Sequence, residues 1–450
     1  MRSAILRNIS TMLSSKLNST TRCDPLSLNW NVSRKTRPML KHRTPHPAFS
    51  YLIYLGCAIA FCTIPFGSAT GRNLFYISSY IAFIAVCLYP RYYFSNVKNL
   101  LLPALMFSVG MGTILWMHHF KQPGDYINIY RSYMSTGKLQ LATAFILLIA
   151  LNERLCVQRL LVVVALATGL AINGYSLYQG LRLDIPRVEL NFDRATIAAY
   201  LMTALDLVMM QAILMLRTRY RLALYITAFL LSFSALVLTG TRAAMLVYPA
   251  AVCLSLLATK QLVSRKHKLA LVASVPLLLI ACGLAFKTQI EERIQAFETD
   301  MRLMDQPQTD NSIISRLSMQ TLAWRTGSQA PWGQSAEQRG EEIRAIVAQQ
   351  PHLYGVMPYI NVHLHNELLE TYSLKGIWGV LLLLALYAGL LFSSFRPQRN
   401  ALLLSVSASL FVYGLSDVIF FSTEGTVMFC LALIAAVLSV TKQPPVQEPT

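Results

Sequence analysis

Residues 361–370 read Asn-Val-His-Leu-His-Asn-Glu-Leu-Leu-Glu, a stretch dense in groups able to move a proton. An imidazole has an unperturbed pKa of about 6.5, so His363 or His365 suits general-base work near neutral pH. On a helix, about 100° per residue sets these two rings roughly 200° apart, which prevents joint chelation of one ion, whereas His363 and Glu367 share a face. The spacing is not that of an HExxH zinc helix. In an extended segment the two histidines do share a face, but no third ligand with metal-site spacing stands out, so neither a metal nor a cofactor is expected. The plainer reading of the same residues is an interfacial histidine that caps a helix or fills a polar contact.

Three arginines suit a phosphate. Arg194 and Arg242 begin apolar segments, and Arg316 lies in a long polar loop on the same side. A guanidinium is planar, stays protonated and donates two parallel hydrogen bonds to an oxyanion. Singly, each also reads as a boundary residue snorkelling to water. Asp417, in Gly414-Leu415-Ser416-Asp417, falls near the end of another apolar segment, where an unpaired carboxylate costs about 3 kcal/mol on insertion scales. It therefore faces the interior and holds an arginine or histidine, as a structural or a catalytic pair. Asp206 lies deeper in its segment and reads as structural.

These groups must be positioned by a membrane bundle. Of 450 residues, 54% are hydrophobic and 13% charged, and apolar runs long enough to cross about 30 Å of hydrocarbon recur along the chain. The predicted fold is an all-α polytopic membrane protein of about twelve transmembrane helices. The expected spans are 50–66, 73–89, 100–119, 138–151, 160–178, 195–216, 222–239, 242–258, 269–286, 372–393, 401–419 and 425–440. The fourth is short, and only Gly240 and Thr241 separate the seventh from the eighth.

Orientation follows from basic residues. The segment 1–49 carries Arg2, Arg7, Lys16, Arg22, Arg34, Lys35, Arg37, Lys41 and Arg43 against Asp24 alone. Placed in the cytoplasm, it brings Arg217, Arg219, Arg221, Lys260, Arg265, Lys266, Lys268, Arg396 and Arg399 to the same side, as the positive-inside rule requires. The formal charge of +18 is thereby topogenic, and no nucleic-acid partner is expected. The domain plan is a basic cytoplasmic arm (1–49), nine spans (50–286), a large helical periplasmic loop (287–371), three spans (372–440) and a cytoplasmic tail (441–450). Within the loop, spacing predicts an amphipathic helix over 288–304 through Ile290, Ile294, Phe297 and Met301. A second starts at an Asn311 N-cap, sets Ile313, Ile314, Leu317 and Trp324 on one face and ends before Gly327, and a third covers 335–350 up to Pro351. The eight cysteines pair into no metal or disulfide pattern and read as small apolar fillers.

Three stretches resemble the O-antigen ligase family, within the O-antigen ligase and polymerase superfamily. Thr239-Gly240-Thr241-Arg242 through Leu246 resembles its Arg-x-x-x-Leu motif. His365-Asn366 followed by Gly376 and Gly379 resembles its His-Asn signature. Arg316 in the large loop and Ser416-Asp417-Val418 complete the pattern. The resemblance implies a metal- and ATP-independent inverting glycosyltransferase of lipopolysaccharide biosynthesis, in the inner membrane of a Gram-negative bacterium. Its donor would be undecaprenyl-diphosphate-linked O-antigen and its acceptor lipid A-core oligosaccharide. By the same resemblance His365 is the base, Arg242 and Arg316 hold the diphosphate, and Asp417 orients the catalytic group; Arg194 and His363 are further substrate-binding candidates without a motif behind them. An O-antigen polymerase uses the same donor, and the His365-to-Gly379 signature favours the ligase. A lipid-glycan transporter would instead line a midplane cavity with its charges.

Overall fold

The computed structural model describes residues 44–67, 69–153, 155, 157–192, 194–259, 264–302, 312–396 and 399–440. Every regular element among them is helical: α1 (Pro47–Thr63), α2 (Ala69–Leu88), α3 (Leu101–Phe120), α4 (Ile127–Asn152), α5 (Gln158–Leu181), α6 (Ala195–Met215), α7 (Arg221–Leu238), α8 (Arg242–Ala258), α9 (Arg265–Ala285), α10 (Lys287–Arg302), α11 (Ser312–Gln329), α12 (Ala336–Gln349), α13 (Glu367–Phe395), α14 (Ala401–Gly414) and α15 (Thr423–Ser439), with a single helical turn at Pro90–Tyr93 and short 3-10 turns between some of them.

Among the described residues, nine helices are long and apolar enough to cross a membrane, namely α1 extended to Phe66, α2, α3 from Val97, α4 to α7, α9 and α13. The shorter apolar helices α8, α14 and α15 fall where the remaining three spans were expected. The fourth span was drawn too short: α4 runs for 26 residues from Ile127, because Arg131 and Lys138 depress hydropathy without ending the helix. α6 forms the centre, with 94% of its most apolar window buried, whereas α9, at 17%, is peripheral. Small residues let α3 and α4 touch: a Cβ on Gly110 would stand 2.8 Å from the Gly137 carbonyl oxygen, a close approach typical of helices packed in lipid. Between α7 and α8 the chain turns through Gly240 at φ +62°, the tight turn the sequence demanded.

Three helices fill the large loop. α12 covers the helix expected over 335–350, with Ser335 as its N-cap. α11 departs from its prediction: it continues to Gln329, and Gly327 lies inside it because Tyr372 packs where a side chain would stand. Its buried face is Ser315, Ser318, Met319, Leu322, Ala323 and Thr326, while Leu317 and Trp324 point outward. Similarly, Ile294 and Phe297 of α10 are exposed. The expected Asn311 cap, the arm up to residue 43, Met301's side chain, Cys23, Cys156 and the tail from 441 lie outside the described residues.

The element that matters most for the site is α13, which is two helices. At Gly376, φ is +67° and ψ −162°, and the helix breaks. A Cβ there would stand 2.3 Å from the Pro331 oxygen, so glycine is required both by conformation and by space. The turn between α11 and α12 fills the break: Ile377 N–H donates to the Pro331 carbonyl at 2.9 Å and Gln334 N–H to the Leu374 carbonyl at 2.9 Å. Backbone groups released by the break are thereby paired, as a buried position demands. The expected tenth span at 372–393 thus joins two pieces: a short stem, 367–375, and the run 377–395, which at 1.5 Å per residue extends about 28 Å.

Candidate active site

His365 sits just ahead of α13 in a segment that is not helical, and its φ of +48° is unusual for a side-chain-bearing residue. Asn366 follows as the N-cap, accepting from the Leu368 and Leu369 amides at 3.1 and 3.0 Å. Its amide nitrogen also donates to the Leu415 carbonyl at 3.0 Å. One residue therefore starts the helix that follows His365 and ties it to the end of α14, two positions before Asp417.

Asp417 closes the arrangement. Its Oδ1 lies 3.1 Å from His365 Nδ1 and 3.7 Å from His363 Nε2, and it accepts the Val418 amide at 2.9 Å. Burial alone would raise this carboxyl, but the His365 hydrogen bond, the attraction of the two histidines in their protonated forms and the Val418 amide hold it well below the usual carboxylate range. Asp417 is therefore ionised. Burial drives His363 down to about 3, with the neighbouring His365 and Arg194 adding to the shift and Asp417 opposing it. His363 is therefore neutral. A neutral ring has one acceptor nitrogen, so it takes a hydrogen from either Arg194 NH1, 3.3 Å from Nε2, or the His365 amide, 3.3 Å from Nδ1. His365 is the most accessible of the trio, its side chain 13% exposed against 3% for His363 and 9% for Asp417.

The structure brings Arg194, His363, His365 and Asp417 into direct contact. Arg316, half-buried on α11, lies near enough to the Tyr200 hydroxyl for its charge to oppose that of Asp417 there. Arg242 begins α8 beside the start of α6, where the Thr241 hydroxyl reaches the Ala195 carbonyl at 3.4 Å; its guanidinium lies 5.2 Å from the Phe297 ring centroid. Asp206 is elsewhere, buried in α6 with Asn173 donating to it at 2.7 Å.

The side-chain donors of His363, His365 and Asp417 lie within 4.8 Å of one another, a grouping able to hold a metal ion. Asp417 thus supplies the third group that spacing alone did not reveal. Against a cation stands Arg194, whose permanent positive charge already touches His363 Nε2.

Sequence reasoning assigned no role to a second layer beneath the histidines. Glu370, fully buried, accepts from Arg339 NH1 at 2.8 Å, the Leu364 amide at 2.9 Å and the Tyr133 hydroxyl at 3.1 Å. Leu364 lies between the two histidines, so this carboxylate fixes their backbone and couples it to α12 through Arg339. Glu367 accepts the Phe420 amide at 3.1 Å and steadies the 3-10 turn Ile419–Phe421 that follows Asp417. The only signal in the sequence was the placement of Glu370 one turn after the Asn366 cap.

The fold and these side chains define a class: an all-helical protein with multiple apolar helices, in which a histidine–carboxylate pair stands beside arginines at one end of the bundle. Residues 227–384 match the family described as O-Antigen ligase, a window holding Arg242, Arg316, His363 and His365. The chain is also 26% identical over 373 residues to the O-antigen ligase of Escherichia coli (strain K12), covering 80% of this chain and 86% of that protein. Both findings give one family, and the resemblance to O-antigen ligases extends over most of the chain.

Proposed function

We propose that this protein transfers O-antigen polysaccharide from undecaprenyl diphosphate to lipid A-core oligosaccharide at the periplasmic face of a Gram-negative inner membrane, by inversion and without a metal. The observation that carries this reading is the 3.1 Å contact between His365 Nδ1 and Asp417. With Asp417 accepting Nδ1–H, Nε2 of His365 keeps its lone pair and is free to take the proton of an acceptor hydroxyl. The oxygen attacks the anomeric carbon, and the bond to the diphosphate breaks with its electron pair leaving on phosphate oxygen. Arg194, Arg242 and Arg316 would bind the diphosphate and stabilise the charge it gains. The carrier diphosphate is a good leaving group, so no general acid or nucleotide is required.

In this reading twelve helices cross the membrane, the three shorter ones included. The loop helices α10 to α12 stand in the periplasm and both termini in the cytoplasm, in keeping with the basic residues of the inner loops. Purified protein reconstituted with carrier-linked glycan and lipid A-core, without nucleotide and with chelator, should transfer glycan. Absence of transfer, or transfer that requires a specific divalent ion, overturns the proposal. Arg194→Lys, Arg242→Lys and Arg316→Lys should each weaken donor binding and turnover together, because a point charge cannot reproduce the two-pronged contact; unchanged donor affinity in all three removes the diphosphate assignment.

A further inference from the structure

Away from the histidines, α11 and the end of α12 enclose an open cleft of about 420 Å³. Its walls include Trp324, Arg325, Ser328, Gln329, Gln349 and Gln350. Trp324 is 60% exposed, yet its ring is held by Tyr372, with centroids 5.4 Å apart at 40°. Arg325 is fixed by a 2.7 Å hydrogen bond from NH1 to Gln350 Oε1. A presented indole face beside an anchored guanidinium, two further amides and a hydroxyl is the chemistry that recognises sugars: C–H faces stack on the ring while planar polar groups bond to hydroxyls. An indole anchoring the protein at a bilayer surface would have a different setting, because amides and a guanidinium gain nothing against acyl chains.

We propose that this cleft is an oligosaccharide subsite, holding sugars remote from the bond being made. The inference rests on the glycosyl-transfer reading above. Arg325 follows Arg316 on the same helix by about 13 Å at 1.5 Å per residue, the reach of a short oligosaccharide rather than a single sugar. Both substrates of that reaction carry glycan, so the occupant is either the donor chain beyond its first sugars or the core of the acceptor.

The test uses the full chain in detergent with two probes free of lipid, the O-antigen repeat oligosaccharide and the delipidated core oligosaccharide, read by saturation-transfer NMR. A parallel series measures transfer rates against donor and lipid A-core concentration. Trp324→Ala and the cleft-filling Ser328→Leu should abolish the saturation-transfer signal of one probe. They should also raise the KM of the substrate carrying that glycan by about two- to tenfold with kcat little changed, and Trp324→Tyr should restore most of it. An effect confined to donor KM assigns the cleft to the donor, and one confined to lipid A-core KM to the acceptor. Ser328 is exposed, so its variant tests the cleft even if Trp324→Ala fails to fold. Wild-type signals and KM values in both variants overturn the subsite, including the case in which only stability in bilayers changes. Wild-type binding without any transfer refutes the glycosyl-transfer reading and leaves the subsite standing.

Discussion

Glu370→Gln separates charge from hydrogen bonding beneath the histidines. Glutamine preserves the shape, and its carbonyl at the Oε2 position still accepts from Arg339 and Leu364, which contribute bonds of 2.8 and 2.9 Å. Its amide then faces the Tyr133 hydroxyl, which is able to accept. What disappears is the negative charge opposite Arg339, in a pair whose side chains are both 0% exposed. An uncompensated buried guanidinium costs about 3–5 kcal/mol, and Arg339→Met, which strands the carboxylate, should cost a similar amount. Among the described residues Arg339 Nε and NH2 meet no hydrogen-bond partner, so the protein groups that surround the pair repay its desolvation incompletely. The double variant, with neither charge, should therefore return to within about 2 kcal/mol of wild type. Melting midpoints of the four proteins in one detergent should place both single variants well below the double. A double variant melting at or below the poorer single would show that the two charges are uncoupled and that the account of this pair is wrong. Transfer activity should be alike in Glu370→Gln and in the double variant wherever both are folded, because the Leu364 amide is held in each.

His365→Ala should cut single-turnover transfer by about 10²- to 10⁴-fold with donor affinity nearly intact, and Asp417→Asn should cut it through a misoriented ring; wild-type transfer by His365→Ala ends the base assignment. His363→Ala should also lower transfer, since the segment is not helical and the His363 ring centroid lies 4.3 Å from that of His365. Stability should fall on acidification: the folded value of His363, about 3, lies below its unfolded value, so the unfolded chain binds the extra proton in between. That contribution is complete above about pH 6.5 and is lost towards pH 3 with a slope of up to about 1.4 kcal/mol per pH unit, and the depressed Asp417 acts in the same direction below the normal carboxylate range. His363→Gln should flatten the acid limb of a melting-midpoint profile, and an unchanged limb would contradict the burial argument. Gly376→Ala should destabilise by about 1–3 kcal/mol from the left-handed conformation alone, with the Pro331 contact adding to it; a melting midpoint equal to wild type would show that the break tolerates a side chain.

Much of this architecture was legible because lipid imposes a simple rule on sequence. Apolar length located the helices, and Gly240 announced the sharpest turn. The errors arose where that rule stops. α4 extends beyond its apolar run because polar residues such as Arg131 lower hydropathy without ending a helix, and α11 was assigned the wrong face because its partners are Tyr372 and the 3-10 turn Pro351–Tyr359 rather than one uniform apolar surface. At the site, His365, Asp417 and Arg194 were each identifiable as candidates. Their contact was not, since 52 residues separate His365 from Asp417 and 169 separate Arg194 from His363. Arg339 and Glu370 look like ordinary surface charges in the sequence, and only packing shows that they are buried.

The His-Asn signature with its following glycines acquires a physical meaning from these contacts. Asn366 caps the stem of α13 at one end and Gly376 breaks it at the other, and Glu370 on the stem holds the Leu364 amide that precedes the cap. The stem is thus fixed at both ends and in its middle before any substrate arrives. Gly379 belongs to the same device: a Cβ there would lie 2.5 Å from the Lys375 Cβ, a crowding created by the break one turn earlier. His365 inherits its position from this stem, and Asp417 inherits its own from Leu415 and Phe420, which Asn366 and Glu367 hold from the same short helix. A base and its orienting carboxylate from distant parts of the chain are therefore registered by consecutive residues of one element. That economy explains how a pair spanning two helix ends is kept at hydrogen-bond distance in a bundle whose helices are held largely by non-directional packing.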